Sequence, residues 1–188
     1  VASRVMNDAK TGEMNQYEPQ ELSKFVWAFS TAGIAHKSVF DLVARKVIYD
    51  AKTGEINKYS PQELSNCVWA FAKSQNKNES LFNAVANKVI DDAKTGKIHK
   101  YTPQNLSNCV WAFAKSDEKN ESLFDAVANK VIDDAKTGKL HKYTPQELCN
   151  CIWAFATSQN KNKSFFDAVA KKVIDDVKTG RIHTYKAQ

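Results

Sequence analysis

The chain has no apolar run approaching the roughly 18 residues that cross a bilayer, and no charged-then-apolar order at its start. No membrane span is expected, and any targeting peptide would lie upstream of Val1. Cysteine is scarce: Cys67, Cys109 and Cys151 share one recurring position, held by Phe25 earlier in the chain, and Cys149 is an extra. A position that takes either Phe or Cys reads as apolar and buried, so these thiols are expected as small core residues in a reducing compartment, without disulfides. Cys149 and Cys151 stand two apart on a helix and face different ways, which excludes a Cys-x-x-Cys redox or zinc pair. The recurring Thr-Gly-Lys lacks the Gly-x-x-x-x-Gly-Lys-Ser/Thr loop of nucleotide hydrolysis. No nucleophile or metal cluster stands out, so an enzyme is not expected, nor any cofactor.

Proline is equally sparse, and its placement is the first positive signal. Pro19, Pro61, Pro103 and Pro145 recur every 42 residues, and so do Trp27, Trp69, Trp111 and Trp153. A fixed period of this size marks a stacked array in which neighbours build one continuous core. The predicted units are 18–59, 60–101, 102–143 and 144–185, preceded by 1–17 as the second helix of a truncated unit and followed by 186–188. Beginning within a unit and without Met, the chain reads as a segment of a longer array or a processed product.

Each unit reads as two helices. Ser60-Pro61-Gln62-Glu63 is a capping box with proline at the first helical position, repeated at Thr144 to Glu147. Thr102 meets Asn105, and Glu18 replaces the hydroxyl, so those two boxes are expected to be weaker. Leu64, Cys67, Val68 and Phe71 then form one apolar stripe, with Gln62, Asn66, Trp69 and Lys73 on the opposite side. A second helix is expected from about Asn78–Ser80, with Leu81, Phe82, Val85, Ala86, Val89, Ile90 and Ala93 at helical spacing. It closes at Thr95-Gly96 through a left-handed glycine. Short connections make the pair antiparallel, so the predicted fold is all-α: a right-handed α-solenoid of tandem 42-residue antiparallel helical hairpins.

Pro-Gln-Glu-Leu-Ser-Asn-Cys-Val-Trp-Ala-Phe-Ala-Lys, from Pro61 to Lys73, resembles the core phrase of octotricopeptide repeats. That family is related in style to pentatricopeptide and FAST-kinase-like helical repeat proteins. The phrase recurs four times and covers nearly the whole chain, although its unit is longer than the family's usual one. The resemblance implies a chloroplast or mitochondrial factor that binds single-stranded RNA and acts in transcript stabilisation, processing or translation, about one nucleotide per repeat.

A net charge of +6 fits a polyanionic partner. The expected base-facing residues are Lys24, Asn66, Asn108 and Asn150, with Gln20, Gln62, Gln104 and Gln146 beside them, because a carboxamide offers a donor and an acceptor in one plane. Trp27, Trp69, Trp111 and Trp153 either stack bases or pack successive helices together, the second being preferred. Phosphates would be met by Lys73 and Lys115 at the end of the first helix, and by Lys94, Lys97, Lys100, Lys136, Lys139, Lys142, Lys178 and Arg181 along the return edge. Against this, Asp91-Asp92, Asp133-Asp134 and Asp175-Asp176 lie within a turn of those lysines and read as a solvated face that neutralises them in part. His99, His141 and His183 occur once per unit, too far apart to share a metal.

A protein-interaction scaffold within a larger organellar complex is the alternative. The second and third units differ at only six positions: Ser60/Thr102, Glu63/Asn105, Gln75/Asp117, Asn76/Glu118, Asn83/Asp125 and Ile98/Leu140. Units this alike suit a structural rail as well as a groove.

Overall fold

The computed structural model of the chain describes residues 17–180, which form eight α-helices and, among the described residues, no strand. They are α1 (Pro19–Thr31), α2 (Lys37–Thr53), α3 (Pro61–Lys73), α4 (Glu79–Lys94), α5 (Pro103–Lys115), α6 (Glu121–Lys136), α7 (Pro145–Thr157) and α8 (Lys163–Lys178). Odd-numbered helices form one layer, A, and even-numbered helices the other, B, so the expected helical solenoid is present. One-turn 3₁₀ segments over Glu55–Lys58, Lys97–Lys100 and Lys139–Lys142 return the chain from each B helix to the next A helix. The expected truncated unit in residues 1–16, the end of the fourth unit, the 186–188 tail, Arg181 and His183 lie outside the described residues.

The A helices start as the capping boxes require. Ser60 Oγ accepts from the Glu63 amide at 3.3 Å while the Glu63 carboxylate accepts from the Ser60 amide at 2.7 Å, and Thr144 with Glu147 repeats this. The Thr102 box, expected to be weak, is complete: its amide donates to Asn105 Oδ1 at 3.1 Å and Asn105 N donates to Thr102 Oγ1 at 3.2 Å. An amide in place of a carboxylate leaves a donor over, and Asn105 Nδ2 gives it to Ser65 Oγ on the preceding A helix at 3.3 Å. Asn78, Asn120 and Asn162 cap the B helices, each accepting from the third amide at 3.0 Å. Gly54, Gly96, Gly138 and Gly180 end those helices with φ between 71° and 82°. The turn after each A helix is also left-handed, at Gly33 (φ 72°), Gln75 (55°), Asp117 (57°) and Gln159 (57°). Nothing in the periodicity had marked that position.

The two apolar stripes meet in a single core. Leu64, Cys67, Val68 and Phe71 are buried in α3, as are Leu81, Phe82, Val85, Ala86 and Val89 in α4. Successive hairpins are joined by edge-to-face phenylalanine pairs from a B helix to the following A helix: Phe40 with Phe71, Phe82 with Phe113 and Phe124 with Phe155, each at 5.0 Å. Each such pair contributes about 0.5–1.5 kcal/mol beyond its buried area. A helices also pack more closely on one another than B helices do, because Ser65, Ala70, Ala72 and their equivalents are small. The array therefore curves with the A layer inside.

One reading is corrected. The second member of each aspartate pair is not on a solvated face: Asp92, Asp134 and Asp176 are all buried, as is Asp50, which follows Tyr49 at the equivalent position of α2. Lys88 pairs with Asp92 one turn along the helix, as Lys46 does with Asp50, Lys130 with Asp134 and Lys172 with Asp176. The free carboxylate oxygen of Asp92 accepts from Tyr101 at 3.0 Å and that of Asp50 from Tyr59 at 2.8 Å, while Tyr143 donates to Asp134 at 2.9 Å through the same oxygen that Lys130 holds. A buried carboxylate persists only when paired and fully hydrogen-bonded, which the lysine and the phenol accomplish together.

Candidate nucleic-acid interface

The concave face is made of columns. Gln62, Asn66, Trp69 and Lys73 follow one another at steps of four, three and four residues, so they line up on the side of α3 away from its buried stripe. At 1.5 Å per residue the line is about 16 Å long. Stacking four A helices turns each position into a column crossing the layer: Gln20, Gln62, Gln104 and Gln146, then Lys24, Asn66, Asn108 and Asn150, then the tryptophans. The glutamines and Lys24 are exposed, and Asn66, Asn108 and Asn150 are half-buried. Among the described residues no partner holds the side-chain amide of any of these three asparagines. They make no hydrogen bond to the adjacent helix, which leaves them as either base-facing groups or a solvated face.

Trp69, Trp111 and Trp153 form a ladder. Their ring centroids are 6.3 and 6.4 Å apart with planes inclined by 35° in both steps. Packing and presentation coexist here: Trp69 and Trp111 are half-buried against their neighbours, while Trp27 and Trp153 are 45% and 42% exposed. Lys73 Nζ sits 4.6 Å from the Trp69 ring centroid, a cation–π contact. Its charge thus belongs to the tryptophan column; Lys115 is exposed at the equivalent place on α5.

The lysine edge runs beside the A-helix N-termini. Lys94, Lys97, Lys100, Lys136, Lys139, Lys142 and Lys178 are all exposed. The aspartates expected to cancel them in part are half withdrawn, since Asp92 and Asp134 are occupied by Lys88 and Lys130 inside the fold. Among the described residues no ion pair engages Lys94 through Lys100 or Lys136 through Lys142. The first connector differs, for Lys58 is paired with Glu55. That contact raises the Lys58 pKa. His99 and His141 close their 3₁₀ turns, Nδ1 lying 2.5 and 2.8 Å from the carbonyls of Gly96 and Gly138. No group of three potential ligands for a metal occurs among the described residues.

All four cysteines are free, and only Cys149 is exposed. Burial pushes the thiols of Cys67, Cys109 and Cys151 up to about 12, which keeps them protonated and unreactive at neutral pH. Sequence reasoning missed the Lys–Asp–Tyr clusters. Their signal was the constant nine-residue offset of Tyr59, Tyr101 and Tyr143 from Asp50, Asp92 and Asp134.

A family model described as RNA-editing substrate-binding complex 6 protein matches residues 1–177. The chain belongs to this family. That finding replaces the octotricopeptide assignment and leaves the chloroplast expectation without support; the helical repeat stands on the described helices themselves. Comparison with curated proteins found no match. Among the described residues no helix is long and apolar enough to cross a membrane.

Proposed function

We propose that the chain is a non-catalytic component of a mitochondrial RNA-editing substrate-binding complex and that its concave A layer holds single-stranded RNA. The observation that carries this reading is the column of unpartnered carboxamides, Asn66, Asn108 and Asn150, lying between exposed glutamines and the tryptophan ladder. Carboxamides read unstacked base edges and aromatic rings accept bases, which is how proteins recognise single strands. The unneutralised lysines beside the A-helix N-termini supply the sequence-independent, salt-sensitive part of the affinity.

The family description supports an RNA-related assembly, and protein partners belong to any such complex. A scaffold role has one observation of its own. The B layer leaves a groove of 520 Å³ between α4 and α6, with Ile90, Ala93, Ile98 and Ala126 in its lining, on the face opposite the columns. Fluorescent homopolymer RNAs titrated at two salt concentrations separate the readings. Binding that weakens with salt and is lost in the Asn66→Ala/Asn108→Ala/Asn150→Ala variant is expected. No binding at low salt would leave the scaffold reading alone.

A further inference from the structure

Asn66, Asn108 and Asn150 repeat one chemistry, as do the tryptophans, so the columns alone give a bound strand no fixed register. The turn after each A helix breaks this monotony. Gly33, Gln75, Asp117 and Gln159 hold its left-handed position, and two places further on stand Ala35, Lys77, Lys119 and Lys161. Two of the differences between the second and third units, Gln75/Asp117 and Asn76/Glu118, fall in this turn.

Between those two units the turn opens into a pocket of about 220 Å³, lined by Ala72, Gln75, Lys77, Lys115 and Ser116. Lys115 ends α5 one turn beyond Trp111, so the pocket lies at the foot of the tryptophan column, at the opposite end of the A helices from the lysine edge. Gln75, Lys77 and Lys115 are exposed, and among the described residues no ion pair engages either lysine. Glu79, Asp117 and Glu118 stand nearby, with Lys77 offsetting the other two at Glu118, but no carboxylate lines the pocket.

The neighbouring junctions lack this set. One unit earlier the equivalents of Gln75, Lys77, Lys115 and Ser116 are Gly33, Ala35, Lys73 and Ser74; one unit later they are Asp117, Lys119, Thr157 and Ser158. Lys73 is held over the Trp69 ring, Asp117 adds a negative charge, and Thr157 removes a positive one. Among the described junctions, two ammonium groups with a hydroxyl and a carboxamide meet only here.

We propose that this pocket seats one phosphate of the bound strand, a site that rests on the RNA-binding reading of the concave face. The two lysines meet the phosphate charge, and Ser116 and Gln75 donate to its oxygens. With this phosphate at the C-terminal end of the A helices and others on the lysine edge, the strand crosses the columns from side to side. The repeated columns supply contact, and the single pocket pins the strand at one place along the array.

The units provide their own test substitutions. Gln75→Asp/Lys115→Thr turns the pocket into the set found one unit later, and Asp117→Gln/Thr157→Lys copies the pocket's set onto the next junction. Each introduced residue already stands at that position of a neighbouring unit, so helicity and melting should not change. The probe is fluorescent oligo(U) with hydroxyls at both ends, which offers internal phosphates only, titrated at three salt concentrations. The first variant is expected to bind about tenfold more weakly at low salt, and to lose about 0.7 from the slope of log affinity against log salt. The second should gain a similar slope. A first variant that binds as wild type does overturns the inference, as does a second variant with an unchanged slope. If wild type binds no RNA at low salt, the RNA-binding reading fails and this site with it. If Asn66→Ala/Asn108→Ala/Asn150→Ala abolishes binding while Gln75→Asp/Lys115→Thr leaves it whole, this site fails alone.

Discussion

Tyr101 donates its hydroxyl hydrogen bond to Asp92 across 3.0 Å, and Lys88 holds the other carboxylate oxygen of the same aspartate. Lys88 and Asp92 are on α4, while Tyr101 immediately precedes the Thr102 cap of α5, so the cluster fixes where one hairpin ends and the next begins. Tyr101→Phe keeps the ion pair and removes one bond to a charged acceptor, an expected loss of about 1–2 kcal/mol. Asp92→Ala leaves the Lys88 ammonium buried without compensation, an expected loss of about 3–5 kcal/mol. Urea unfolding of both variants beside Asp91→Ala, whose side chain is exposed, checks the order. Equal losses at Asp91 and Asp92 would remove the structural role given to the cluster.

The left-handed turn after each A helix gives a second prediction. Gly33 occupies it at no steric cost, while Gln75, Asp117 and Gln159 adopt it with a side chain, at about 1–2 kcal/mol each. Gln75→Gly and Gln159→Gly relieve that strain and give back part of it as unfolded-chain entropy, so each should stabilise by up to about 1 kcal/mol. Gly33→Ala should destabilise by a similar amount. Thermal midpoints that move in the opposite directions would mean these turns relax.

Alkaline conditions should destabilise the fold by a route the buried residues define. Burial, reinforced by the neighbouring aspartates, raises the phenol pKa of Tyr59, Tyr101 and Tyr143 well above its usual value. Burial likewise pushes the thiols of Cys67, Cys109 and Cys151 up to about 12. The native state therefore keeps protons that the unfolded chain releases, from about pH 8.5 for the thiols and about pH 10 for the phenols. The unfolded state binds fewer protons, so stability falls as pH rises through this range and is insensitive to these groups below it. Urea midpoints at pH 7, 9 and 10.5 should decline progressively, and Tyr143→Phe should flatten the decline above pH 10.

Architecture was legible in the sequence because each unit repeats its own punctuation. Pro61 after Ser60, Asn78 before Leu81 and Gly96 after Thr95 each mark a boundary through a local hydrogen bond or a backbone conformation. The helices accordingly begin and end where those residues place them. The Lys–Asp–Tyr clusters were not legible, since an adjacent aspartate pair looks solvated until the next hairpin closes over one member. Asn105 was read as a weakened cap for the same reason: its second contact, to Ser65, is forty residues away and exists only after stacking. On the concave face, spacing was enough to collect glutamine, asparagine and tryptophan into columns. It could not show that Lys73 lies over Trp69 instead of pointing outward, because that is a rotamer choice.

The lysine edge and the asparagine column should separate in their salt dependence. Lys136, Lys139 and Lys142 stand on one unpaired connector, and each phosphate they neutralise on a single strand contributes about 0.7 to the slope of log affinity against log salt. Replacing all three by alanine should lower that slope by about 2 and weaken every homopolymer alike. Replacing Asn66, Asn108 and Asn150 by alanine should leave the slope intact and compress the differences among poly(A), poly(U) and poly(C), because base edges carry no counterions. Titrations of both variants at three salt concentrations decide it. A lysine variant with an unchanged slope would move the phosphate path off this edge, and an asparagine variant with unchanged preferences would strip the column of its reading role.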